Sequence, residues 1–351
     1  MPEKTIESFT VQRLDILDEK GIADESLMPS LSDEDIKRMY ELIVLSRTFD
    51  QRALNLQREG RLGAYPSLLG QEASQIGSAF ACEKSDWVFP SFREMGVYIT
   101  LGYPPHMLYQ YWAGDERGLK ISDNVTIFPL CVPVGTQIPH AVGAAIAAKY
   151  RGDKIGIVTY FGDGGTSKGD FHEGFNMAGV FRLPVVFICQ NNQWAISVPR
   201  EKQTASKTLA QKAFAYGFEG VQVDGNDIFS VYKATKDALE KAKRGDGPTF
   251  IECFTYRMSD HTTSDDATKY RSKEEVDAWK QKDPILRLRL FMEKKGLWTE
   301  QYQKDIEEQS TLIIDEAVKE AESIKPPHPE EMFAYTYEKL TPRQIKQMKG
   351  F

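Results

Sequence analysis

Three observations predict an α/β protein built on a parallel sheet covered by helices on both faces. Short apolar runs recur at Ile155–Phe161, Pro184–Gln190, Val221–Val223 and Thr249–Tyr256. Helical stretches separate them. The runs are continuous rather than alternating, as strands buried on both faces require.

Taken in order, residues 1–30 have little periodicity and read as an N-terminal arm. Ser32-Asp33-Glu34-Asp35 starts a helix, with acidic side chains suited to its positive end. The spacing Ile36, Met39, Ile43, Leu45, continued in Phe49 and Leu54, carries that helix to about Glu59. Gly70-Gln71-Glu72-Ala73 opens another, through Phe80, and residues 31–130 read as mainly helical cover. Gln137 to Tyr150 is an Ala-rich helix with Pro139 in its first turn. Asp170–Phe181 and Asp227–Lys243 are the crossover helices, and beyond Tyr270 the chain is charged and helical. No repeat and no linker rich in Pro, Gly and Ser divides it. The expected organisation is an arm (1–30), one α/β domain (31–325) and a C-terminal helical tail (326–351).

Composition narrows the function. With 41% hydrophobic and 27% charged residues, the 351-residue chain is that of a folded globular protein. Forty-four basic residues face 51 acidic ones, the net charge is −7, and no basic tract occurs, so nucleic acid is not the expected partner. No stretch of 18 apolar residues exists, so no membrane span is expected. Cys82, Cys131, Cys189 and Cys253 are scattered without a CxxC pair and read as reduced thiols. The start lacks the apolar core of a signal peptide. A cytoplasmic protein is expected.

Ligands of parallel α/β sheets bind beyond the carboxyl ends of the strands. Two of those ends are polar here: Gly162-Asp163-Gly164-Gly165-Thr166 and Asn191-Asn192-Gln193-Trp194. One helix and one strand separate them, so they are expected to be neighbours. The residue types suit a magnesium diphosphate. Magnesium takes a few oxygen ligands from protein and completes its shell with phosphate oxygens and water. Asp163 offers a carboxylate, Asn192 an amide oxygen and Trp194 a backbone carbonyl. Gly164 and Gly165 let amides approach a phosphate. A bare turn and a bare loop are the alternative for each motif alone. A dinucleotide fingerprint fails because Ser167 stands at its third glycine position, and no P-loop sequence occurs.

Gly162-Asp163-Gly164, the spacer and Asn191-Asn192 resemble the thiamine diphosphate motif. Arg61-Leu-Gly63, Gly70-Gln-Glu-Ala73, Phe92-Arg93, Gly135-Thr-Gln137, Gly169-Asp170, Val223-Asp-Gly225, His261 and Tyr270-Arg-Ser272 follow in family order. Over about residues 30 to 325 the chain resembles the α subunit of the decarboxylating first component of 2-oxo acid dehydrogenase complexes. The resemblance implies a thiamine diphosphate-binding fold with extra N- and C-terminal helices. It assigns magnesium to Asp163, Asn192 and the Trp194 carbonyl. It turns Gly164, Gly165 and Arg93 toward the diphosphate, holds the aminopyrimidine on the Val132 and Val134 backbone, and lines the cofactor with Phe92. His261, in a polar loop expected to be mobile without ligand, would touch the diphosphate and assist acyl transfer as a positioned donor.

Departures accompany the match. Gln193 stands where pyruvate enzymes often carry Arg, and Phe92 where Tyr is common. Thr136-Gln137 resembles a turn that binds potassium in branched-chain enzymes, with a purely structural turn as the equal alternative. Thr262 aligns with a phosphorylated serine of some members. The family supplies the acid that activates the aminopyrimidine from a separate β subunit, and no second pyrimidine-binding domain is legible here. The expected enzyme has two α and two β chains. It decarboxylates a small 2-oxo acid and acylates the lipoyl domain of a transacylase. Residues 28–110 resemble pyruvate enzymes and Pro133–Pro139 branched-chain ones; the balance falls narrowly to pyruvate. A non-catalytic cofactor-binding paralogue and a nucleotide-binding oxidoreductase domain are the alternatives.

Overall fold

The computed structural model describes residues 3–121 and 125–350. In chain order its elements begin with strand β1 (Gln12–Leu14), helices α1 (Asp33–Arg58) and α2 (Glu72–Phe80), and strand β2 (Trp87–Phe89). Helices α3 (Met95–Thr100), α4 (Pro105–Trp112) and α5 (Gln137–Arg151) follow. Then come β3 (Ile157–Gly162), α6 (Gly169–Val180) and β4 (Val185–Asn191). A two-residue ribbon, β5 (Trp194–Ala195) with β6 (Val198–Pro199), leads into α7 (Arg200–Gln203). Next are β7 (Glu219–Asp224), α8 (Ile228–Arg244) and β8 (Thr249–Phe254). Helices α9 (Lys273–Lys280), α10 (Pro284–Lys294), α11 (Glu300–Ser323), α12 (Glu331–Ala334) and α13 (Pro342–Met348) complete the chain. Among the described residues no helix is long and apolar enough to cross a membrane.

Six strands form one sheet in the order β1-β7-β8-β4-β3-β2, every neighbouring pair parallel. Successive side chains point to opposite faces, which splits the core in two. Val158, Tyr160, Val186 and Ile188 face one cluster with residues of α1, α2 and α8. Ile157, Phe161, Val185 and Phe187 face the other, with Ile138 and Ala141 of α5 and Phe171 and Phe175 of α6. Both faces are therefore dry, as the unbroken apolar runs predict.

Local chemistry sets the helix ends. Ser32 and Asp35 cap α1 reciprocally: the Ser32 hydroxyl accepts the Asp35 N–H at 3.1 Å and the Asp35 carboxylate accepts the Ser32 N–H at 3.0 Å. Such a cap contributes about 1 kcal/mol. Gly152 and Gly245 end α5 and α8 in the left-handed conformation, which satisfies the last carbonyls at no Cβ cost.

Two strands escape the sequence pattern. Within the expected arm, β1 pairs with β7, and Ile16 and Leu17 are buried. Within the expected helical cover, β2 pairs with β3. Each has three residues, too few to show a period. The arm is held from far along the chain: Asp227 Oδ2 accepts the Ile16 and Leu17 N–H groups at 2.7 and 2.8 Å.

Candidate active site

The carboxyl ends of β3, β4 and β8 lie side by side, with Gly162 opposite Gln190 and Asn191 opposite Phe254. One residue beyond each of the first two ends stand Asp163 and Asn192; three beyond the last stands Arg257. They wall a cavity of about 240 Å³ together with Phe92, Arg93, Glu94, Val134, Gly164, Gly165, Trp194 and His261. The sequence-predicted site is thus brought together, with one exception. Val132 is half exposed and does not line the cavity, whereas Val134 does.

Asp163 opens a short 3₁₀ turn over Asp163–Ser167. Its side chain is buried, and Gln203 Nε2 donates to Oδ2 at 3.1 Å. Burial pushes its carboxyl up to about 6, against the pull of Gln203, Arg257 and Arg200. A buried carboxylate held at this cost is one that a divalent cation would relieve. Among the described residues no three His, Cys, Asp or Glu side chains group as metal ligands. The donor set therefore fits a magnesium that brings its own phosphate oxygens and does not fit a protein-only cage.

The two asparagines divide their work. Asn191 Nδ2 donates to Glu252 Oε1 at 2.6 Å, and Glu252 Oε2 accepts the Leu209 and Ala210 N–H groups. Asn191 is therefore structural. Asn192 Nδ2 donates to Gln71 Oε1 at 3.1 Å, and its Oδ1 accepts the Trp194 N–H at 3.3 Å, with a second lone pair left for a ligand. After it the backbone bends sharply: Gln193 and Ile196 take φ of 73° and 55°, unusual for side chains with a Cβ and costly for a β-branched one.

Arg257 holds that bend. Its Nη2 donates to the Ile196 carbonyl at 2.9 Å and the Tyr270 hydroxyl at 2.8 Å, and Nη1 reaches the Trp194 carbonyl at 3.3 Å. Arg93 is buried as well. Its Nη1 donates to the Ser67 carbonyl at 2.6 Å and Nη2 to the His261 carbonyl at 3.0 Å. Both guanidiniums spend these bonds on neutral oxygens rather than carboxylates. Burial lowers both; the Arg257 cation adds to the lowering of Arg93, which falls to about 10, and Arg271 adds to that of Arg257. Two buried cations on one cavity wall call for an anion.

His261 lies against Phe92, ring centroids 6.0 Å apart at 67°. Burial, then Arg93 and Arg257, depress its imidazole to about 4, so it is neutral at pH 7. Its loop is fastened by its own polar groups. Asp260 accepts the Ala267 N–H at 2.9 Å, and Asp265 accepts the His261 N–H at 2.9 Å and the Tyr270 hydroxyl. Thr263 exchanges two 3.0 Å bonds with the Tyr65 backbone. These ties hold a loop that has little apolar side chain to bury.

Glycine at 164 is a matter of space: a Cβ there would sit 3.0 Å from the Ala195 Cβ, on the cavity wall. The Thr136–Gln137 turn is hydrogen-bonded, with the Ile138 N–H donating to the Gly135 carbonyl at 3.0 Å and Gln137 Nε2 to the Tyr160 carbonyl at 2.7 Å. Sequence reasoning missed Arg257, Gln71, Glu94 and Gln203. Arg257 follows a strand end by three residues, which was a usable signal. Gln71 stands just before α2 and Gln203 ends α7, and neither position by itself marks a side chain that touches Asn192 or Asp163. Glu94, buried and raised to about 7 by burial, accepts from Gln190 Nε2 at 2.6 Å and adds a protonatable wall.

Comparison with known proteins gives a family and close relatives. Residues 40–330 match the family of the dehydrogenase E1 component. The pyruvate dehydrogenase E1 component subunit alpha of Bacillus subtilis is 44% identical over 327 residues, covering 93% of this chain and 88% of that protein. That of Bacillus cereus is 42% identical over 331 residues, 94% of this chain and 89% of the relative. That of Staphylococcus aureus is 44% identical over 314 residues, 89% and 85%.

Proposed function

This chain belongs to the dehydrogenase E1 component family, and from that premise we propose that it is the α subunit of a thiamine diphosphate-dependent dehydrogenase that decarboxylates pyruvate. The observation that carries the cofactor reading is the single cavity where Asp163 and Asn192 meet the buried cations Arg93 and Arg257. Pyruvate rather than a branched-chain 2-oxo acid rests on the names of the relatives at 42–44% identity.

When bound, thiamine diphosphate supplies a nucleophilic carbon and an electron sink for loss of carbon dioxide. Asp163, Asn192 Oδ1 and the Trp194 carbonyl hold magnesium. The Gly164 and Gly165 amides, Arg93 and Arg257 hold the diphosphate, and Phe92 lines the cofactor. The backbone of Val134 takes the aminopyrimidine at the open side, with Val132 next to it. His261, neutral at pH 7, donates its ring N–H toward the transferring acyl group rather than acting as a cation. Potassium at the Thr136–Gln137 turn has one argument in its favour: Gln137 Oε1 is buried without a partner.

A β subunit completes the site in this reading, in an assembly of two α and two β chains, and a lipoyl domain of the transacylase receives the acyl group. Ile146, Tyr150, Met177, Val180 and Phe181 of α5, α6 and the residue after it are exposed apolar side chains that a partner chain would cover. Four unpaired cysteines suit the reducing cytoplasm.

The test is carbon dioxide release by this chain with and without its β partner, with pyruvate or 3-methyl-2-oxobutanoate. Activity is expected only with both chains, thiamine diphosphate and magnesium, with the higher kcat/KM on pyruvate. Turnover by the lone chain, or without the cofactor, refutes the proposal. His261→Ala should impair lipoyl acylation more than decarboxylation coupled to an artificial electron acceptor.

A further inference from the structure

Asp50 lies on α1, outside the cavity, yet its carboxylate organises the wall that holds two of the cavity's functional groups. It is buried. Oδ1 accepts the Tyr65 hydroxyl at 2.8 Å and the Leu68 N–H at 2.9 Å, and Oδ2 accepts the Ser67 hydroxyl at 2.5 Å. Three donors from four consecutive residues thus converge on one side chain. The segment it gathers, residues 65–68, turns its own backbone toward the site. The Ser67 carbonyl accepts Arg93 Nη1 at 2.6 Å. The Tyr65 N–H and carbonyl bond to Thr263 Oγ1 and N–H, both at 3.0 Å, and Thr263 is two residues from His261. Arg93 Nη2 closes the circuit on the His261 carbonyl.

We propose that Asp50 is a positioning residue for anion binding: through the Tyr65–Leu68 segment it fixes the Arg93 guanidinium and the His261 loop. Arg93 is long, and its three single bonds between Cβ and Nε would let the guanidinium swing if the Ser67 carbonyl moved. A carboxylate suits the task because it accepts from every side and offers no proton of its own. An amide at this place could keep the Tyr65 hydroxyl and the Leu68 N–H on its oxygen but would turn its N–H toward Ser67, whose hydroxyl would have to change from donor to acceptor, and the charge that strengthens all three bonds would be lost. Outward support of this kind is what holds a binding group to productive geometry. The inference deepens the cofactor reading and rests on it.

The test is calorimetric titration of cofactor-free α–β assembly with thiamine diphosphate and magnesium. Asp50→Asn is expected to weaken binding by about tenfold or more, in the range found for outer support of ligand groups. Ser67→Ala, which removes one of the three bonds and retains the carbonyl, is expected to weaken it less. The decisive readout is coupling. Arg93→Gln weakens binding by itself, and adding Asp50→Asn to it should weaken binding little further, because the positioned group is already gone. Losses that simply multiply would overturn the proposal, as would wild-type affinity in Asp50→Asn. If Asp50→Asn does not fold, Ser67→Ala with and without Arg93→Gln carries the same test. Absence of binding by the wild-type assembly would instead strike down the cofactor reading, and this inference with it.

Discussion

Replacing Asp163 by Asn should stabilise the cofactor-free protein while destroying the proposed metal site. The carboxyl titrates at about 6 in the folded chain against an ordinary value of 3.8. A folded value raised above the unfolded one means that the group stabilises least when ionised: its penalty grows as pH rises from about 4 and is complete above about 6. Two units correspond to about 3 kcal/mol at neutral pH. Asparagine has no charge to desolvate, so up to that amount is regained. Spread over an unfolding entropy of about 0.7 kcal/mol/K for a chain this long, it raises the thermal midpoint by about 4 °C. The gain should shrink to about half at pH 5 and nearly vanish at about pH 4, where the wild-type group is neutral as well. Binding should move the other way. The variant loses the one anionic ligand, and affinity for magnesium and thiamine diphosphate should fall at least about 100-fold, beyond what loss of an outer support costs. Below pH 6, where the diphosphate and Glu94 also take up protons, affinity in the wild type should fall more steeply than in the variant, by up to about tenfold more per pH unit, as Asp163 protonates. Melting curves at about pH 4, 5 and 8, paired with calorimetry on cofactor-free α–β assembly, measure both. A variant that binds like wild type refutes the metal assignment. One that loses binding without gaining stability at about pH 8 refutes the reasoning from burial.

Arg257→Lys should keep the cavity charge but lose the bridge between the Ile196 carbonyl and Tyr270, so cofactor affinity should drop, and Arg257→Gln should lose more; equal affinity of Arg257→Gln and wild type would remove Arg257 from the site. The His261 imidazole, held near 4 by burial and two cations, should titrate upward when the diphosphate is bound, because its negative charge offsets Arg93 and Arg257; imidazole resonances recorded through a pH series would reveal the shift, and no movement would separate His261 from the anion. Gly164→Ala should weaken cofactor binding with little change in the fold, since the new Cβ must displace Ala195 or the turn, and unaltered calorimetric affinity would mean that the wall yields freely. Asp265→Asn should loosen the His261 loop and raise its cleavage by protease between residues 260 and 270, given that Asp265 ties the His261 N–H to Tyr270; wild-type resistance would show the Thr263–Tyr65 bonds suffice.

The sequence by itself determined the layered architecture. Four continuous apolar runs between amphipathic helices demand a sheet dry on both faces, and Val158/Tyr160 against Ile157/Phe161 divide between two cores as that demands. It also determined that two polar strand ends stand side by side, because Asp163 and Asn192 follow their strands directly and parallel neighbours align those ends. Other parts of the structure depended on contacts without a local signature, the Gln203 contact to Asp163 and the Glu94 contact to Gln190 among them. β1 and β2 are too short to show a period, and β1 is fixed by a carboxylate at Asp227, over 200 residues away. The cation pair exists because Arg93, from the loop before α3, and Arg257, beyond β8, are buried against the same space. Neither loop reveals that in its own composition. The neutrality of His261 and the high proton affinity of Asp163 are likewise tertiary facts. Both arise from water excluded by residues distant in sequence, and desolvation is a property of the assembled wall rather than of any segment that forms it.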